Sequence, residues 1–181
     1  TLYREMLKRI LHKLTDTSDG GKHLPWITRR IMAFVQGYDH EKYWTRRAKV
    51  VDPSYKNVLL KVYYLWYIKR VDNKHHCSFG TSYNWGAYFS TAPYLPHGPN
   101  GIIVGHDAKI GSECCIYHQV SIPAGNVVVG DKVTFFPGAK VIEGIKIGNN
   151  SRIGANVVVC EDIPDNATVV PQKARIIQPK K

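Results

Sequence analysis

The sequence predicts a mainly β chain: a triangular parallel β-helix preceded by an α-helical N-terminal region. Two observations carry that prediction. From Tyr83 to Val159 an apolar residue stands at nearly every sixth position: Tyr83, Phe89, Leu95, Val104, Ile110, Ile116, Ile122, Val129, Phe135, Val141, Ile147, Ile153 and Val159. A helix repeats every 3.6 residues and a free strand every two, so neither produces a period of six. Such a short period marks stacked coils that bury one core only together. Six residues fit one side of a triangle, with about three such sides to a coil. The second observation is a small or apolar residue four places after most of these marks: Ala87, Ala108, Cys114, Val120, Val133, Ala139, Ile145, Ser151 and Val157. Two steps are irregular, nine residues from Leu95 to Val104 and seven from Ile122 to Val129. On a regular scaffold, irregular turns are the places to look for chemistry.

Ahead of the repeat the pattern is helical. Leu2, Met6, Ile10 and Leu14 recur every four residues as one amphipathic face, and Ser18-Asp19-Gly20-Gly21 ends it. A second helix is expected from Pro25, suited to a first turn, to Gly37. The charged stretch 39–50 reads as a third. Asp52-Pro53 reads as cap and first position of a fourth, reaching Arg70. Residues Val58 to Ile68 are apolar around most of that helix, so it should pack on both sides, with Leu60, Leu65, Trp66 and Ile68 out of water. The repeat dissolves at Asp162-Ile163-Pro164-Asp165, followed by a short strand, Ala167 to Val170, and a basic tail. The expected organisation is therefore 1–76 basic helical region, 77–164 β-helix, and 165–181 strand and basic tail.

Charge separates the two halves. Of 25 Lys+Arg and 14 Asp+Glu in 181 residues, 16 and 7 lie in residues 1–76, leaving 9 and 7 for the rest. The net charges are +9 and +2, so the positive surface belongs to the helical region. It suits anionic partners such as phosphorylated cofactors, lipid head groups or acidic glycans. No nucleic-acid motif accompanies it, so a nucleic-acid partner is not expected. No apolar run reaches the ~20 residues of a membrane span, and no secretory signal is recognisable. Cys77, Cys114, Cys115 and Cys160 read as reduced thiols, with Cys114 facing the core. Without CxxC or HxxxH, no metal is expected.

Coil arithmetic singles out two histidines. His97 and His118 each lie two residues past a mark, Leu95 and Ile116, one coil apart. They should therefore stack, ~5 Å apart at the backbone. The interval is 21 residues instead of 18, because Gly98-Pro99-Asn100-Gly101-Ile102-Ile103 bulges out. A histidine beside a bulge is held by the scaffold yet open to substrate, and its ordinary pKa suits general-base work near neutrality.

The stretches Tyr83-Asn84-Trp85-Gly86-Ala87-Tyr88, Leu95-Pro96-His97-Gly98, Gly101-Ile102-Ile103-Val104-Gly105, Ile116-Tyr117-His118-Gln119-Val120-Ser121 and Ile153-Gly154-Ala155-Asn156 resemble hexapeptide-repeat acyltransferases. The resemblance covers about residues 77–177 and is to the serine acetyltransferase-like branch, with its sugar and capsule polysaccharide O-acetyltransferases. It implies a left-handed parallel β-helix and acetyl-CoA as cosubstrate. It also implies a homotrimer with CoA sites between chains. His97 would be the general base for direct attack of an acceptor hydroxyl on the thioester. His118 stands where the family often has Gln, and would orient His97, bind the acceptor or simply fill space. Gly154 and Ala155 would line the pantetheine arm, and Lys173 and Arg175 would meet the nucleotide phosphates. Departures from the serine enzymes are Pro96 and Ser82 in place of carboxylates, and a direct run through Ile122-Pro123-Ala124-Gly125-Asn126 in place of a long loop. These departures lead to the expectation of an acetyltransferase acting on a carbohydrate hydroxyl, of a surface or capsular polysaccharide or its precursor. The enzyme would be cytoplasmic, its basic helices allowing peripheral contact with the inner face of the membrane. Serine O-acetylation and a non-catalytic β-helix scaffold are the alternatives.

Overall fold

The computed structural model describes residues 26–173. The predicted helix through Leu2 and Leu14 lies outside them. Residues 78–169 form a parallel β-helix whose three sides are three sheets of two-residue strands. The first side stacks Ser78–Phe79, Ile103–Val104, Ser121–Ile122, Lys140–Val141 and Val158–Val159. The second stacks Tyr88–Phe89, Lys109–Ile110, Val128–Val129 and Lys146–Ile147, with Ile163 bridging below. Tyr94 bridges to the top of the third, above Cys115–Ile116, Thr134–Phe135, Arg152–Ile153 and Thr168–Val169.

The predicted period is the core. Val104, Ile110, Ile116, Ile122, Phe135 and Ile153 are fully buried, and the small residues Ala108, Cys114, Val120, Ala139 and Ser151 are buried beside them. Each such isoleucine withdrawn from water contributes about 1.5–3 kcal/mol. Position 83 departs from the expectation. Phe79, not Tyr83, is the buried mark of the first coil, and Tyr83 is exposed. Between them Thr81–Ser82 pairs antiparallel with Trp85–Gly86, a hairpin thrown out of the coil, with Asn84 at its turn in left-handed backbone (φ 61°). The extra residue after Ile122 is absorbed at Pro123–Asn126, where the Asp107 carboxylate accepts from the N–H groups of Gly125 and Asn126. These donors hold Asp107 below the usual carboxylate range. At the other end Thr168–Val169 pairs with Arg152–Ile153, so coil pairing runs past Pro164.

Among the described residues three helices precede the coils: α1 (Trp26–Gln36), α2 (His40–Val51) and α3 (Val58–Lys74). Asp39 caps α2 by accepting from the Lys42 N–H. The expectation that Asp52-Pro53 starts α3 is not met. Asp52 ends α2 and turns its carboxylate onto the N–H and hydroxyl of Ser54, leaving Asn57 to cap α3. α3 is also not covered on both sides. Ile68 and Val71 are buried and Leu65 is partly so, but Leu59, Val62, Tyr63 and Trp66 are exposed and Leu60 is 40% exposed. No described helix is long and apolar enough to cross a membrane.

Where the helices meet the first coil, α2 closes the open end of the stack. Tyr43 and Trp44 pack edge-on against Phe79, and Trp44 against Phe89. Arg47 is 3% exposed. Its guanidinium donates to the Phe79 carbonyl (2.8 Å), the Ala87 carbonyl (2.7 Å) and the Thr81 hydroxyl (2.9 Å), and lies 4.8 Å from the Phe89 ring centroid. Burial pushes it down to about 10, still charged at neutral pH. Arg47→Met keeps most of the stem and strands these carbonyls. At ~1–3 kcal/mol for each buried acceptor left unpaired, it is expected to cost about 3 kcal/mol or more. Lys69→Met, which removes a single part-buried bond to the Thr81 carbonyl, should cost less, about 1 kcal/mol. Urea unfolding checks both, and equal midpoints for the two variants would contradict the capping role.

Candidate active site at a bulged corner

The corner leading from the third side back to the first repeats in register down the stack. Residues 96–98, 117–119, 136–138 and 154–156 occupy it. Each coil must reverse direction sharply there, so Gly98, Gln119, Gly138 and Asn156 all take left-handed backbone (φ 69°, 60°, 74° and 56°). Backbone bonds tie the levels together. Gln119 N–H donates to Asn100 O, Gly138 N–H to His118 O, and Asn156 N–H to Pro137 O. The residue just before each left-handed one points from the apex. Those residues are His97, His118, Pro137 and Ala155.

The predicted histidine stack is present and closer than stacking alone requires. The His97 and His118 rings lie 5.0 Å apart at 29°, and their Nδ1 atoms share one hydrogen bond of 2.9 Å. One nitrogen must donate and the other accept. If His97 Nδ1 carries the proton, its Nε2 keeps a lone pair, the form a general base needs. His118 then accepts at Nδ1 and takes the place a carboxylate would fill behind a catalytic imidazole. When His97 gains a proton at Nε2, the His118 lone pair already faces the Nδ1–H of the new cation. Tyr117 meets His97 edge-on at 5.4 Å, which fixes the ring from a second direction.

Tyr117 stacks on Phe136 (5.6 Å, 15°), and the Arg152 guanidinium lies 5.4 Å from the Phe136 ring. The next position down is Gly154, whose missing side chain matters. A Cβ there would come within 2.8 Å of the Val169 carbonyl oxygen and 3.2 Å of Pro171. Gly154 thus lets the chain at Val169 and Pro171 pack close, and exposed Ala155 follows it on the same column as the histidines. Lys173 is the last described residue and is exposed. Arg175 lies outside the described residues. Among the described residues no group of three or more His, Cys, Asp or Glu could hold a metal ion, and the four cysteines are free thiols.

Three further contributors escaped the sequence reading. Tyr117 and Phe136 sit at equivalent places on successive coils, so the same arithmetic that paired the histidines could have paired them. Asn100 lies inside the bulge, where no register exists to place it.

Comparison with known proteins agrees with this architecture. Residues 126–161 match the family described as bacterial transferase hexapeptide (six repeats). A serine acetyltransferase of Mycobacterium tuberculosis is 36% identical over 105 residues, 54% of this chain and 45% of that protein. The chain spans about half the length of the curated relatives it matches. Among solved structures, serine acetyltransferase isoform 3 of Entamoeba histolytica in complex with cysteine superposes with a TM-score of 0.66. It is 19% identical, and the match covers 95% of this chain and 60% of that one. A serine acetyltransferase solved with CoA gives a TM-score of 0.62 at 21% identity, over 91% and 66% of the two chains. The coil stack shares the parallel β-helix fold of these solved structures, and residues 126–161 within it match the hexapeptide transferase family.

Proposed function

We propose that this protein is an acyl-CoA-dependent acetyltransferase that moves acetyl from acetyl-CoA to a hydroxyl, with His97 as general base. The observation that carries the reading is the Nδ1–Nδ1 hydrogen bond between His97 and His118 at the bulged corner. His97 Nε2 takes the hydroxyl proton as the oxygen attacks the thioester carbonyl. The C–S bond then breaks, and the departing CoA sulfur takes that proton back from His97. A hydroxyl holds its proton too tightly at neutral pH to attack unaided, and a positioned base contributes ~10²–10⁴ in rate. The backbone at Gly154 and Ala155, on the same column as the histidines, would line the pantetheine arm, and Lys173 and Arg175 would meet the phosphates.

The names of the relatives favour serine as acceptor, in place of the carbohydrate that the sequence reading preferred. One observation keeps the carbohydrate as second reading. The side chains seen to touch His97 besides His118, Tyr117 on its ring and Asn100 on its carbonyl, are both uncharged. A zwitterionic amino acid needs partners of both signs. The same proposal has the enzyme work in the cytoplasm as a homotrimer, its CoA sites shared between chains. Peripheral membrane contact through the basic helices would be secondary.

His97→Ala should lower kcat by about 10²–10⁴ while CoA still raises the melting temperature. His118→Ala should cost less, about tenfold, because it removes the partner of the base and not the base. Steady-state rates with stopped-flow CoA release read both, and an active His97→Ala enzyme would sink the mechanism. A panel of serine and carbohydrate acceptors at equal acetyl-CoA decides the acceptor. The relatives lead us to expect the highest kcat/KM for serine, and a higher value for any carbohydrate would favour the second reading. Sedimentation equilibrium should show a trimer.

A further inference from the structure

The bulge that carries His97 is not a free loop. His75, the residue that ends α3, grips it at two adjacent points. The His75 backbone carbonyl accepts from the Gly101 N–H (3.0 Å), and its Nδ1 bonds the Asn100 side-chain oxygen (2.8 Å). The Asn100 amide nitrogen in turn donates to the backbone carbonyl of His97 (2.9 Å). Asn100 also accepts, through its own carbonyl, from Gln119, next to His118 (3.0 Å). One residue thus holds the backbone at both histidines. Because Asn100 donates to His97 with its nitrogen, its oxygen faces His75, so His75 Nδ1 must be the donor. The His75 Nε2 is buried without a hydrogen-bond partner, as suits a lone pair better than an N–H. Tyr38 packs its ring against His75 (6.0 Å, 68°) and accepts from the Trp44 indole, tying this grip to α2.

We propose that Asn100 and His75 are positioning residues for His97: the end of α3 locks the bulged corner so that the two imidazoles meet Nδ1 to Nδ1. The helical region would then be a working part of the site. This inference rests on His97 being the base, and its test has a readout that does not. In ¹⁵N spectra of the native protein, His97 should show one tautomer, Nδ1 protonated and Nε2 bare. Asn100→Ala and His75→Ala should each mix the tautomers. Asn100→Asp can still accept from His75 but cannot donate to the His97 carbonyl, so it should do the same while keeping the shape of the turn. In turnover, Asn100→Ala should lower kcat about tenfold with KM for acetyl-CoA unchanged, as expected for a misaligned base. The double variant should be no slower than Asn100→Ala alone, because His75 acts through Asn100. Unchanged imidazole spectra in Asn100→Ala and Asn100→Asp would overturn the proposal, as would losses that multiply in the double variant. If the native protein transfers no acetyl group, the activity reading fails, and the spectra alone still decide the positioning role.

Discussion

The structure depends on how a parallel β-helix begins. Its backbone hydrogen bonds run between coils, so the first coil has carbonyls with no coil above them. Left to water, that end would open the apolar interior; left dry, it would strand strong acceptors. Arg47 meets this constraint with one side chain, bonding the Phe79 and Ala87 carbonyls and laying its plane over Phe89. Five donors in a rigid plane suit that task, which a lysine could not match. The charge is still expensive to bury, and no carboxylate among the described residues forms a salt bridge to it. Asp72 lies nearby, taken up by the Tyr43 hydroxyl at 2.6 Å, and burial raises its carboxyl.

Once that end is closed, each coil templates the next. The corners show how little variation the stack permits. At the corner between the second and third sides, the Asp131 carboxylate accepts from Ser112 N–H, Asn149 from Asp131 N–H, and Asp165 from Asn149 N–H, a ladder of short polar side chains. At the histidine corner the left-handed position must be Gly, Asn or a strained residue such as Gln119. A side chain one place earlier is therefore aimed by the backbone itself. That is why His97 and His118 meet ring to ring although both are accessible to solvent.

Regularity also explains where function concentrates. A perfect coil would bring the next strand directly back onto the first side and leave no room beside its corner. The three extra residues after His97 widen the turn, and the α3 terminus takes up the polar groups that the bulge frees. The exposed apolar faces of α1 and α3, including Phe34, Leu59 and Trp66, stand away from this grip. The helical region therefore presents one face to the coils and another to solvent.

The sequence by itself determined the coil stack, because burial repeats every six residues and only one architecture has that period. It determined the vertical pairing of His97 and His118 for the same reason: equal offsets from Leu95 and Ile116 become neighbours once coils align. Gly154 and Ala155 came only from the family resemblance, and the structure puts them on the same corner. Periodicity stops where the chain leaves the repeat. Tyr83 kept the spacing of a core mark but lies on a hairpin, since six-residue spacing alone cannot tell a coil side from an excursion. Asp52-Pro53 carried a helix-start signal that its own bond to Ser54 diverted. Which nitrogens of the two histidines face each other, the closing of the first coil by Arg47, and the hold of His75 on Asn100 were decided only in three dimensions. Each joins residues 21 to 40 positions apart through one side-chain geometry. No local pattern encodes such contacts, because they exist only after the core has brought the elements together.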